Sequence, residues 1–121
     1  MSQESLEKFE AYRLAMELFD LVVEDMTTLV KKPALQKMIS QQFGSADSIA
    51  ANTEEGHGRE TTKEYARFLI CFRGSARETK GRYVRLRRWF PEELIIDRSD
   101  RCDHIIAILT KTIQTLRKRN P

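Results

Sequence analysis

A chain of 121 residues with 40% hydrophobic and 32% charged side chains is long enough to bury one core and too apolar to stay disordered. No apolar run approaches the ~20 residues a bilayer span needs, and the polar, acidic start Met1-Ser2-Gln3-Glu4-Ser5 is no secretory leader, so a cytoplasmic protein without membrane association is expected. The net charge of +3 says little as a total, because its distribution is uneven.

The first predicted helix runs from Ser5 to Lys32. Phe9, Tyr12, Met16, Phe19, Val23, Met26 and Val30 alternate three- and four-residue steps as a bundle seam does, and Leu18, Val22 and Leu29 widen it. Glu4, Glu7 and Glu10 at its start and Lys31 and Lys32 at its end suit the helix dipole, and Pro33 breaks it. The second helix, Ala34 to Glu55, buries Leu35, Met38, Ile39, Gln42, Phe43, Ala46, Ile49, Ala50 and Thr53. Its Gly44, Ser45, Ala46, Ser48, Ala50 and Ala51 admit a close neighbour, and Gly56 and Gly58 end it. The third helix, Thr62 to Trp89, opens on the capping box Thr61-Thr62-Lys63-Glu64 and carries the stripe Tyr65, Phe68, Leu69, Phe72, Ala76, Thr79, Tyr83, Leu86 and Phe90. A linker, 91–98, with a short helical piece at Pro91-Glu92-Glu93, leads to the fourth helix. That helix runs from Ser99 to Arg119 with Cys102, Ile105, Ile106, Leu109, Ile113 and Leu116 inward.

No segment alternates with a period of two over a useful length. The predicted fold is therefore all-α, one antiparallel up-down four-helix-bundle domain over residues 1–121.

Residues 59–90 carry ten basic and three acidic side chains, whereas residues 1–32 carry four basic and seven acidic ones. At 100° per residue, Arg73, Arg77, Lys80, Arg87 and Arg88 fall on one flank of the third helix, free of acidic neighbours on that helix. The other flank mixes Arg67, Arg82 and Arg85 with Glu60, Glu64 and Glu78. A one-sign arginine stripe near Tyr83 and Trp89 suits phosphate contacts with some base stacking, because the planar guanidinium fork binds two oxygens. Those five residues are the candidate nucleic-acid site, for RNA or DNA. The competing reading is that the acidic first helix neutralises the stripe, within one subunit or across subunits; an interaction scaffold for an acidic protein partner is the corresponding alternative function.

Catalytic and metal chemistry find little support. Glu54-x-x-His57 has the spacing of a di-iron ligand pair, but such a site needs two of these motifs and further inward glutamates. Cys102-x-His104 fits no common zinc spacing. Cys102 reads as core, His104 as surface, and both thiols, Cys71 and Cys102, as buried and reduced. Glu54 and Glu55 point about 100° apart on a helix and cannot easily share a proton-transfer site. No phosphate-cradling Gly-x-x-x-x-Gly-Lys occurs, and Gly56-x-Gly58 lacks a preceding strand and a third glycine, so it reads as a turn. No catalytic residue, metal ligand or cofactor is expected.

One ordered pattern carries a resemblance: Gln42, Ser48-Ile49, Asn52, Glu55-Gly56, Gly58-Arg59, Thr61, Glu64-Tyr65, Phe68-Leu69, Gly74-Ser75 and Glu78. In order and spacing it resembles the four-helix-bundle family encoded within intervening sequences of bacterial 23S rRNA genes, related to the accessory variability determinant of diversity-generating retroelements. Phe43 and Gly44 stand where that family usually has arginines, and Thr53 and Glu54 where it has Ile-Ala, which places a negative charge beside the turn. The resemblance implies a non-enzymatic bundle that assembles as a homo-oligomeric ring, a homopentamer, and interacts with nucleic acid. In the retroelement relatives it implies association with a reverse transcriptase. Asn52, Glu55, Gly56, Gly58 and Arg59 then read as the fastening of the interhelix turn, with a ligand or RNA contact by Arg59 as the other reading.

Overall fold

The computed structural model describes residues 3–57 and 61–119, with side chains described over 10–51 and 61–119. It contains α1 (Gln3–Thr27), α2 (Gln36–His57), α3 (Thr62–Arg85) and α4 (Glu92–Arg119), with 3-10 turns at Pro33–Leu35 and Arg87–Trp89 and no strand among the described residues. α1 packs against α2 and α4, and α3 packs against the same two, which leaves α1 and α3 on the diagonal. Cross-helix bonds run in opposite chain order at each junction: Gln42 with Thr79 and Ser48 with Ser75, Arg73 with Thr110 and Lys80 with Asp103, Glu17 with Arg101 and Asp25 with Arg98. The all-α antiparallel four-helix bundle expected from periodicity is the fold observed.

Helix ends depart from expectation for local reasons. α1 stops at Thr27, because Thr27 Oγ1 donates to the Val23 carbonyl (2.6 Å) and Thr28 Oγ1 to that of Asp25 (2.7 Å), in competition with the helical ladder. Lys31 and Lys32 therefore lie beyond the helix and complement no dipole there. α2 continues through Gly56 to His57, so Gly56 does not end it, and no described residue has positive φ. Gly58 and Arg59, and the side chains of Asn52 and Glu55, fall outside the described residues, and the turn-fastening role expected of them falls there with them. α3 ends at Arg85, where the Leu86 N–H bonds to the Arg82 and Tyr83 carbonyls and tightens the chain into the 3-10 turn. Arg87, Arg88 and Trp89 thus leave the helix they were expected to share with Arg73. The expected linker is instead the start of α4. The Pro91 carbonyl accepts from Leu94 and Ile95, Glu92 and Glu93 complement the helix N-terminus, and half-buried Leu94 and Ile95 pack on the core.

The core is built from Leu18, Val22, Met26, Ile49, Phe72, Tyr83, Leu86, Ile105, Leu109 and Ile113, all essentially inaccessible to solvent. Cys102 joins them, and burial, with Asp103 nearby, pushes its thiol up to about 12. Cys71 is exposed, so only one of the two thiols is buried as expected.

The largest departure is in α1, whose inward face centres on the line expected only to widen the seam: Leu18, Val22, Met26 and Leu29 are buried as expected, joined by Ala11, Leu14 and Ala15. Met16, Val23 and Val30 stay 38%, 37% and 50% exposed. The cause is polar. Asp25, 4% exposed, accepts from Tyr83 Oη at 2.6 Å and from Arg98 Nε and Nη2 at 2.8 and 3.0 Å. Arg98 Nη1 and Arg101 Nε both reach Asp97, at 2.5 and 2.9 Å, and Arg101 approaches Glu17 at 3.6 Å. Burial and the bond to Asp25 raise the Tyr83 phenol, and the bond to Asp25 raises the Arg98 guanidinium against its own burial. Burial alone would raise Asp97, but the bonds from Arg101 and Arg98 hold its carboxyl below the usual carboxylate range. A bidentate, desolvated pair of this kind directs which face of α1 turns inward.

Removing Asp25 leaves the Arg98 guanidinium with Asp97 as its remaining carboxylate and the buried Tyr83 hydroxyl without its acceptor. Asp25→Ala is expected to cost about 3–5 kcal/mol in urea unfolding, and the double variant Asp25→Leu/Arg98→Met to recover most of that loss. Equal losses in the two variants would show that the pair does not hold the helices.

Candidate functional site

Among the described residues, Gln42, Ser48 and Ser75 of the sequence pattern meet at the α2–α3 junction. Gln42, fully buried, donates from Nε2 to the Thr79 carbonyl at 3.0 Å, while its Oε1 accepts from Arg82 Nη1 at 2.7 Å. Ser45 Oγ lies 2.7 Å from Thr79 Oγ1 and accepts from Arg82 Nη1 at 3.0 Å. Further along, Ser75 Oγ donates to Ser48 Oγ at 2.9 Å. These short side chains allow two backbones to approach and then bond across the gap. Thr61, as N-cap of α3, accepts from the Glu64 N–H at 3.1 Å. The pattern is structural at these positions: it sets the register of α2 against α3.

Arg82 belongs to this junction. Only 8% exposed, it bonds to amide, hydroxyl and carbonyl oxygens and has no ion pair among the described residues. Burial and the neighbouring Arg85 lower its pKa, and Glu78 opposes them. Its orientation toward α2 agrees with its expected place on the mixed flank.

The opposite edge of α3, toward α4, is cationic. Arg73 reaches Thr110 at 3.3 Å, and burial, with the charges of Arg77 and Arg117, lowers its pKa. A groove of about 460 Å³ has Arg77, Lys80, Gly81, Val84 and Arg85 of α3 on one side and Asp103 and Ile106 of α4 on the other. Towards the N-terminal end of α3, a cleft of about 480 Å³ has Lys63 and Arg67 facing Arg117. Among the described residues, Arg67, Arg77, Arg85, Arg88 and Arg117 have no ion pair, whereas Lys80 is engaged by Asp103 at 2.7 Å.

Of the five residues expected to form the nucleic-acid site, Arg73 and Arg77 lie together on this edge, and Lys80 lies beside them within its ion pair. Arg87 and Arg88 sit past the end of α3 on the 3-10 turn, where Arg87 Nη1 bonds back to the Val84 carbonyl at 3.2 Å. Sequence reasoning missed Arg117, which comes from α4, and placed Arg67 and Arg85 on the mixed flank. Their positions two turns or so outward from Arg77 were available in the heptad spacing, but the neighbour that groups them is tertiary.

Among the described residues, no carboxylate of the acidic first helix pairs with this edge. The described ion pairs of α1, apart from those inside it, go to α4: Glu10 to His104 (3.8 Å), Glu17 to Arg101 and Asp25 to Arg98. No group of three or more His, Cys, Asp or Glu side chains capable of holding a metal ion occurs among the described residues. No helix is long and apolar enough to cross a membrane. What this edge can do chemically is hold phosphates or other oxyanions.

The sequence profile of the 23S rRNA-intervening sequence protein family matches residues 7–111. No curated protein matches the sequence. A crystal structure of a protein with unknown function from the S23 ribosomal protein family of Bacteroides thetaiotaomicron VPI-5482 superposes with a TM-score of 0.82 at 20% identity, covering 89% of this chain and 98% of that one. That likeness is one of fold.

Gly74 lies on the outer side of α3 beside this edge, and a Cβ built there meets nothing within 4 Å. Gly74→Ala is therefore expected to stabilise the chain by about 0.5–1 kcal/mol in chemical denaturation, from helix propensity alone. A loss of stability would show that the glycine is needed for packing.

Proposed function

This chain belongs to the 23S rRNA-intervening sequence protein family, and from that premise we propose that it is a non-enzymatic nucleic-acid-binding bundle. The binding edge is the α3–α4 edge around Arg73, Arg77 and Arg117. The observation that carries the reading is the run of cations along this edge: among the described residues Arg73, Arg77 and Arg117 have no ion pair, while Glu10, Glu17 and Asp25 of α1 pair with α4. Such a run opposes folding through like-charge repulsion, which is relieved when a polyanion binds. The ligand is RNA or DNA, held through backbone phosphates.

Binding is expected at ~50 mM salt and should weaken steeply as salt rises, with a log–log slope near −0.7 to −0.9 per phosphate neutralised. The variant Arg73→Gln/Arg77→Gln/Arg117→Gln should reduce that slope by about 2–3 and leave the circular dichroism spectrum unchanged. Binding by wild type with no salt slope would remove the proposal.

One observation favours a second occupant for the same edge, namely a second copy of the chain. Met16 and Val23 lie seven residues apart as exposed apolar positions on α1, continued by Val30 just past its end, and are flanked by Asp20 and Glu24, which have no ion pair among the described residues. Gly74 and Gly81 repeat at the same interval on the cationic edge. The two surfaces are opposite in charge and share the seven-residue spacing. A contact joining unlike surfaces closes into a ring, of which the homopentamer implied by the resemblance is one case, or runs on as a filament. Val23→Glu is then expected to shift the sedimentation coefficient to that of a monomer and to increase nucleic-acid affinity by uncovering the arginines. Unchanged sedimentation would dismiss this second reading.

A further inference from the structure

The cleft at the N-terminal end of α3 is more than a continuation of the cationic edge. Its walls are Lys63 and Arg67 on α3 and Arg117 on α4, and no carboxylate is among the described residues that line it. Its floor is apolar: Ala66 and Ile70, the latter 37% exposed, lie over Leu116, which is itself buried in the core. The only uncharged polar side chain in its lining is that of Thr62. At about 480 Å³ it lies within the ~300–1,000 Å³ range of small-molecule sites.

This combination selects a ligand with an anionic group joined to a flat, weakly polar body. A bare phosphate would leave the apolar floor unused, and a purely apolar group would leave three cations without counter-charge. A nucleotide satisfies both requirements. Its phosphate is held between the forks of Arg67 and Arg117, and its base lies against Ala66 and Ile70. Within a duplex the base face is covered by its stacked neighbours, so the nucleotide seated here is unpaired. We infer that this cleft is a subsite for one unpaired nucleotide, at a strand end or overhang, adjoining the phosphate-binding edge at Arg73 and Arg77. The floor is aliphatic and offers the base no hydrogen-bonding side chain, so the subsite does not distinguish bases by their edges.

The inference rests on the nucleic-acid reading above, and one set of probes separates the two. The probes are a short RNA duplex that is blunt, the same duplex with a short unpaired tail, and the same duplex with a tail of equal length made of abasic nucleotides. The abasic tail keeps the phosphates and removes the bases. In wild type the tailed duplex is expected to bind about tenfold tighter than the abasic-tailed one. Ile70→Ser should abolish that difference and leave the affinity for the blunt duplex unchanged, since Ile70 is partly exposed and uncharged. Arg67→Gln should weaken binding of both tailed probes. If the tailed and abasic-tailed duplexes bind equally in wild type while the blunt duplex also binds, the subsite is overturned and the phosphate-binding edge stands. If no probe binds, both fall.

Discussion

The carboxylate of Asp25 is the constraint on which the arrangement of this bundle turns. It is buried, it belongs to α1, and its partners come from the two other helices that meet there: Tyr83 from α3 and Arg98 from α4. A buried carboxylate is tolerated only when its lone pairs are filled, and the bidentate guanidinium with the phenol fills them. Once Asp25 must point inward, Leu18, Val22 and Leu29 turn inward with it, and Met16, Val23 and Val30 are left at the rim. The same pair fixes the first turns of α4, which otherwise have the composition of a linker.

That geometry also decides the distribution of charge. α1 spends Glu10, Glu17 and Asp25 on α4, through His104, Arg101 and Arg98. α1 lies diagonally across from α3, and none of its described carboxylates pairs with Arg73 or Arg77. Among the described residues of α3, Lys80 alone obtains a carboxylate partner on that edge, Asp103, while Arg73 reaches only the Thr110 hydroxyl. The positive edge is thus a consequence of bundle topology as much as of composition.

The α2–α3 junction works on another principle. There the packing is polar and close, with Gln42, Ser45, Ser48, Ser75 and Thr79 bonded across the helices and Arg82 threaded among them. A buried guanidinium held by neutral oxygens gains less than one held by a carboxylate, and its Nε finds no acceptor among the described residues. The compensation is specificity of register, because a shift by one turn would separate each of these bonds.

Helix number, the core of α3, the Thr61 cap and the inward line of α4 were legible in the sequence, because each follows from local periodicity or from a capping residue three positions from its partner. The cationic character of α3 was legible for the same reason. The inward face of α1 was not: two apolar lines compete on that helix, and a buried ion pair formed with residues more than fifty positions away chooses between them. The site was legible in part. Arg73 and Arg77 share a flank by helical spacing, but Arg117 joins them only because α4 runs back alongside α3, and Arg87 leaves them because the chain tightens at Leu86. Sequence alone determined what lies one or two turns apart; the tertiary structure decided which of those faces meet, since burial and pairing between distant residues outweigh the local pattern wherever the two compete.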